Sequence, residues 1–100
     1  NSKNHQCFFS SMNFIKSSGV SYVVTEHFSP VYFYTFKVNI RVNNYTEIRK
    51  LIREEHAGEV GYYFYVDGDW FNLVNESSEL EKETVYSCGN YKIFNLTNLA

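Results

Sequence analysis

With 100 residues, 44% of them hydrophobic and 19% aromatic, the chain carries enough apolar surface for one packed core and too little length for two, so wholesale disorder and a two-domain organisation are both excluded. A net charge of −2 with a pI near 5.9 argues against a phosphate-tracking nucleic-acid surface. No apolar run approaches the roughly 18 residues that a membrane-spanning helix needs, and no membrane partner is expected.

Nine Tyr, nine Phe and a single proline, Pro30, lean the propensities towards strands. Beginning at Asn1 without an initiator Met, the chain reads as a piece of a longer protein. In chain order, residues 7–15, 20–24 and 31–34 read as strands, with Ser17, Ser18 and Gly19 turning between the first two. From 36 to 42 the alternation is strict: Phe36, Val38, Ile40 and Val42 on one face, Lys37, Asn39 and Arg41 on the other. Asn44 with Glu47 three residues on forms an Asn-x-x-Glu capping box, and Ile48, Leu51 and Ile52 follow at helical spacing, so a helix is expected over 45–56. Gly58 and Gly61 then turn the chain.

The run 62–66, the dipeptide Asp67-Gly68 and the segment 70–74 read as a β-hairpin. A polar, acidic loop over 76–83 leads to a strand at 84–88, a bulge or turn at Gly89-Asn90 and a last apolar segment at 91–96. One helix packed across one face of a mixed sheet is the economical way to bury Ile48, Leu51 and Ile52, which gives an α+β fold of the ubiquitin-like β-grasp layout.

Charge is divided along the chain. Residues 1–53 carry seven Lys/Arg against two acids (+5), and residues 54–100 carry two Lys/Arg against nine acids (−7). If the halves fold to opposite sides, one copy's basic half matches another's acidic half, head to tail. Cys7 and Cys88, 81 positions apart, match no zinc, haem or thioredoxin-type spacing. Two buried free thiols are the preferred reading, and a disulfide between the chain ends requires an oxidising compartment. Three sequons, at Asn44, Asn75 and Asn95, keep a secreted glycoprotein among the readings.

The C-terminal half resembles the doublecortin domain, a β-grasp family. Tyr65-Val66-Asp67-Gly68, Leu73, Leu80, then Glu83-Thr84-Val85-Tyr86-Ser87-Cys88-Gly89 and Phe94 follow that family's order and approximate spacing. The match extends over 36–96, is closest at 62–96 and is weakest over 1–35; the stretch around Asp67-Gly68 also resembles the CIDE-N interaction domain. Val85-Tyr86 stand in the reverse of the family's order, and Ser18-Gly19 stand where its first hairpin has an Asn-Gly-Asp turn.

The resemblance implies a cytoplasmic, cytoskeletal module that binds tubulin or microtubules, or a protein-interaction scaffold of the same fold. An acidic tubulin surface calls for clustered cations, and the candidates are Lys37 and Arg41 on the outward strand face with Arg49, Lys50 and Arg53 on the helix. No catalytic, metal-ligating or cofactor-binding set is expected. His5, His27 and His56 are isolated, Asp67 and Asp69 flank a glycine as turn residues, and Gly58 and Gly61 lack a phosphate-loop lysine.

Overall fold

The computed structural model describes residues 2–26, 31–67 and 78–99. It is an α+β fold built on a five-stranded mixed sheet with helices packed against it. The elements in chain order are α1 (Ser2–Lys16), β1 (Tyr22–Thr25), α2 (Val31–Thr35), β2 (Val38–Arg41), α3 (Tyr45–Glu54), β3 (Gly61–Val66), α4 (Ser78–Glu81), β4 (Thr84–Cys88) and β5 (Tyr91–Asn95), followed by a 3-10 turn at Thr97–Leu99. The sheet order is β2-β1-β3-β5-β4. β1 pairs in parallel with both β2 and β3, and β5 runs antiparallel to both β3 and β4.

The crossover from β1 to β2 steps one way along the sheet, and the crossover from β2 to β3 steps back past β1. With a fixed right-handed crossover, steps in opposite directions place their helices on opposite faces. The buried residues sort accordingly. Tyr22, Val24, Tyr63, Tyr65 and Phe94 join Ile48 and Ile52 of α3, with Leu80 and Leu96, in one cluster. Val23, Phe64 and Ile93 join Met12 and Ile15 of α1 and Val31 of α2 in the other. Strands covered on both faces need apolar residues at consecutive positions, which accounts for the runs at 22–24 and 62–66.

Four sequence expectations are corrected. Residues 7–15 lie within α1 and are not a strand. Cys7, Ser11, Met12 and Ile15 are the buried positions, a helical spacing hidden by the polar Ser11, whose hydroxyl donates to the Cys7 carbonyl at 2.7 Å. Ser17 and Ser18 therefore end a helix: the Ser18 amide and hydroxyl both donate to the Ile15 carbonyl, at 3.1 and 2.6 Å. Residues 31–34 belong to α2, where Val31 and Thr35 are buried four positions apart and the Thr35 hydroxyl donates to the Val31 carbonyl at 2.7 Å. Residues 78–81 of the expected acidic loop form α4, which turns Leu80 into the core. β3 pairs antiparallel with β5, Val66 opposite Tyr91 and Tyr62 opposite Asn95, and the expected hairpin arm at 70–74 lies outside the described residues.

The fourth correction concerns the thiols. Cys7 of α1 and Cys88 at the end of β4 form a disulfide, with Cα atoms 5.3 Å apart. A separation of 81 residues gives no hint of this because the pairing follows from α1 packing onto the β4 side of the sheet.

The remaining elements follow the sequence closely. β2 is shorter than the alternation suggested, and α3 ends at Glu54. The Asn44 cap forms: the Glu47 amide donates to Asn44 Oδ1 at 2.9 Å, and the Glu47 carboxylate accepts from the backbone amide of Asn43, one residue ahead of the N-cap amide that a capping box uses. Gly89, at φ 55°, takes the first position of the two-residue turn between β4 and β5, where a left-handed backbone is required.

Candidate interaction surface

α2 is a single short helix with three consecutive aromatic residues. With Val31 and Thr35 turned inward, successive steps of about 100° fan Tyr32, Phe33 and Tyr34 across the outward side. Tyr32 is 54% exposed and Phe33 70%. Tyr34 packs edge-on against Phe8 and Phe9 of α1, with both centroid distances 5.4 Å, and Phe9 is itself exposed. The surface thus spans both helices.

Phe36 extends it. Its amide closes α2 by donating to the Tyr32 carbonyl at 2.9 Å, and its backbone sits at φ 60°, the left-handed region. A bulky residue pays steric energy there, and this one is 70% exposed, with the Lys16 ammonium 5.5 Å from its ring centroid. Two residues further on, Val38 opens β2 and is also exposed. Among the described residues β2 is an edge strand, with no neighbouring strand along one row of its backbone donors and acceptors. An aromatic surface therefore leads directly onto an open sheet edge.

The five cations singled out from the sequence are divided between β2, with Lys37 just ahead of it, and α3. Lys37 is half-buried and its ammonium donates to the Ser18 carbonyl at 3.0 Å. Arg41, at the other end of β2, donates through Nε to the Glu26 carbonyl at 3.2 Å. Lys50 and Arg53 are exposed on α3, and Arg49 is half-buried on the same helix. Arg41 and Lys50 meet in one open groove, where Glu47 and Glu55 also stand, so the groove carries balanced charge. Lys37 is not part of it. The opposite edge of the sheet, β4, is preceded by Glu79, Glu81 and Glu83.

A second constellation lies at the end of α3. His56 stacks on the Tyr22 ring, centroids 4.3 Å apart, and its Nδ1 pairs with the Glu59 carboxylate. Tyr22 is fully buried, and its hydroxyl has no hydrogen-bond partner among the described residues. Burial, and secondarily the nearby Glu59 charge, raise its pKa above the ordinary tyrosine value. The ring lies against Gly61: a Cβ there would be 2.1 Å from Tyr22 Cζ. This is an aromatic packed between α3 and β3 on a glycine floor, a core arrangement.

Among the described residues, no group of three or more His, Cys, Asp or Glu is placed to hold a metal ion, and no helix is long and apolar enough to cross a membrane. Sequence reasoning missed the α2 surface because three successive aromatics favour a strand by propensity. The available signal was the small β-branched pair Val31 and Thr35 at helical spacing. Comparison with protein families, with curated proteins and with solved structures finds no match to this chain.

Proposed function

We propose that this chain is a non-catalytic protein-interaction domain of an oxidising compartment that docks a partner through the aromatic surface of α1 and α2. The observation that carries the reading is the exposure of Tyr32, Phe33 and Phe36 beside β2, the edge strand of the sheet among the described residues. Contiguous exposed aromatics of this kind mark protein contact sites, where large rings supply most of the binding energy. The Cys7–Cys88 bridge supports the compartment, since disulfides persist where glutathione and thioredoxin do not reduce them.

A second copy of the chain is the partner to test first. Lys37 and Arg41 lie on the β2 edge and Glu79, Glu81 and Glu83 lead into the β4 edge, so a head-to-tail arrangement opposes unlike charges. Sedimentation velocity between micromolar and millimolar concentration should show assembly that high salt weakens and that Phe33→Ser abolishes with the circular dichroism unchanged. A chain that stays monomeric throughout, or a Phe33→Ser variant that assembles normally, would sink the self-assembly form of the proposal.

The second reading is the doublecortin-like, β-grasp one, in which Lys37, Arg41, Arg49, Lys50 and Arg53 engage tubulin. It is supported by α3 lying across a mixed sheet and by Arg41 and Lys50 sharing a groove. A parallel β1–β2 pair in place of a leading hairpin and a disulfide foreign to the cytoskeleton's reducing surroundings weigh against it. Its test is co-sedimentation with microtubules at low and physiological salt, expected to be lost on reversing Arg49 and Arg53 to Glu; no pelleting at low salt ends it.

A further inference from the structure

The three sequons are not equivalent once the chain is folded. Asn75 lies outside the described residues. Asn95 belongs to β5, half-buried between the buried Phe94 and Leu96 and opposite Tyr62 of β3. Its amide donates to the Glu83 carbonyl at 2.8 Å, and its Oδ1 accepts from the Thr97 amide at 2.9 Å, the backbone of its own sequon threonine.

Asn44 is the opposite case. It is exposed, stands outside the sheet and caps α3 from an extended backbone at φ −160° and ψ 169°. The cap uses only Oδ1, which accepts from the Glu47 amide at 2.9 Å, while Nδ2 has no partner among the described residues. Thr46, the hydroxyl residue of the sequon, is exposed in the first turn of the helix. N-glycosylation joins sugar to Nδ2 and leaves Oδ1 as an amide carbonyl, so a glycan here and the helix cap are compatible on one side chain.

We infer that Asn44 is an N-glycosylation site, and the one used in preference to Asn95. The donor class is a lipid-pyrophosphate-linked oligosaccharide of the secretory pathway. Asn44 Nδ2 attacks the anomeric carbon, the new N–C bond forms as the C–O bond to pyrophosphate breaks, the lipid pyrophosphate departs, and one amide proton is lost. The inference rests on the oxidising-compartment reading of the Cys7–Cys88 bridge. Asn44 follows the C-terminal end of β2, while Phe36 precedes its N-terminal end.

The test is the intact mass of the full chain secreted from a eukaryotic host, taken under non-reducing conditions before and after an amidase that removes N-glycans. With Asn75→Gln as the background, the expected result is one amidase-sensitive glycan that persists in Asn95→Gln and disappears in both Asn44→Asp and Thr46→Ala. Asn44→Asp keeps a side-chain oxygen for the cap, and Thr46→Ala keeps Asn44 itself, so loss of sugar in both is not a folding artefact. A bridged chain with no sugar, or a glycan that survives Asn44→Asp, overturns the inference alone. Free thiols in the secreted product overturn the compartment reading beneath it.

Discussion

Phe36 combines two features that oppose folding: a left-handed backbone and a ring turned largely to solvent. The left-handed region costs a non-glycine residue about 1 to 2 kcal/mol, which glycine avoids. Phe36→Gly is therefore expected to be more stable than Phe36→Ala by about 1 kcal/mol, the reverse of the order inside a helix, as read from urea unfolding midpoints. Both variants should lose assembly equally, because both lose the ring. Tyr22 presents the converse, a ring fully used and a hydroxyl without a partner among the described residues. Tyr22→Phe should gain about 1 kcal/mol, since an unsatisfied buried hydroxyl carries its desolvation cost uncompensated. The same variant has a pH signature. Because the folded-state pKa of Tyr22 is raised above 10.0, the unfolded chain releases the proton first as the pH climbs past that value. Stability from this group is unaffected below about pH 10 and falls above it, and that alkaline decline should be shallower in Tyr22→Phe. Gly61→Ala forces a Cβ to 2.1 Å from the Tyr22 ring and should cost about 3 kcal/mol, with part of the loss recovered when Tyr22 is also made smaller.

At the scale of elements, what could be read from the sequence depended on whether local signals and tertiary burial agreed. They agree in α3, where the Asn44 cap, Glu47 and the apolar positions 48, 51 and 52 all indicate one helix. They agree at β4 and β5, where Gly89-Asn90 sets a two-residue turn. They conflict in α1 and α2. Phe8, Phe9 and Phe14 in the first, and Tyr32, Phe33 and Tyr34 in the second, raise strand propensity, while the residues that become buried follow helical spacing. Burial decides because it contributes more than the tenths of a kcal/mol that separate propensities. The candidate surface was illegible for the same reason: it is the outward face of an element read as a strand. α3 offers a direct check on the local term. Asn44→Ala should destabilise by about 1 kcal/mol and Asn44→Asp hardly at all, measured by thermal unfolding of unglycosylated protein.

For the whole molecule, the disulfide is the largest single contribution to stability that can be assigned to one bond. Closing a loop with a sequence separation of 81 restricts the unfolded chain by about 4 to 5 kcal/mol in the chain-entropy model, a sizeable part of the total expected for a domain of this size. Unfolding in urea with and without reductant should differ by roughly 2 to 5 kcal/mol, and Cys7→Ser with Cys88→Ser should behave as the reduced protein. The strand order also separates the sequence into β2 and β1 from the basic half and β3, β5 and β4 from the acidic half, a polarity that no count of net charge displays.

The same bridge determines how the molecule answers a pull on its ends. Tension carried along the backbone to Cys7 passes through the sulfur pair to Cys88 and bypasses the covalent path through β1, α2, β2, α3, β3, α4 and β4. Within these 100 residues the segments outside the bridge, β5 among them, can be drawn out to a contour of roughly 65 Å. Reduction would release roughly 280 Å more. In a stretched tether the oxidised chain thus yields its terminal pieces alone, and its thiol state sets how far the bridged segment can extend.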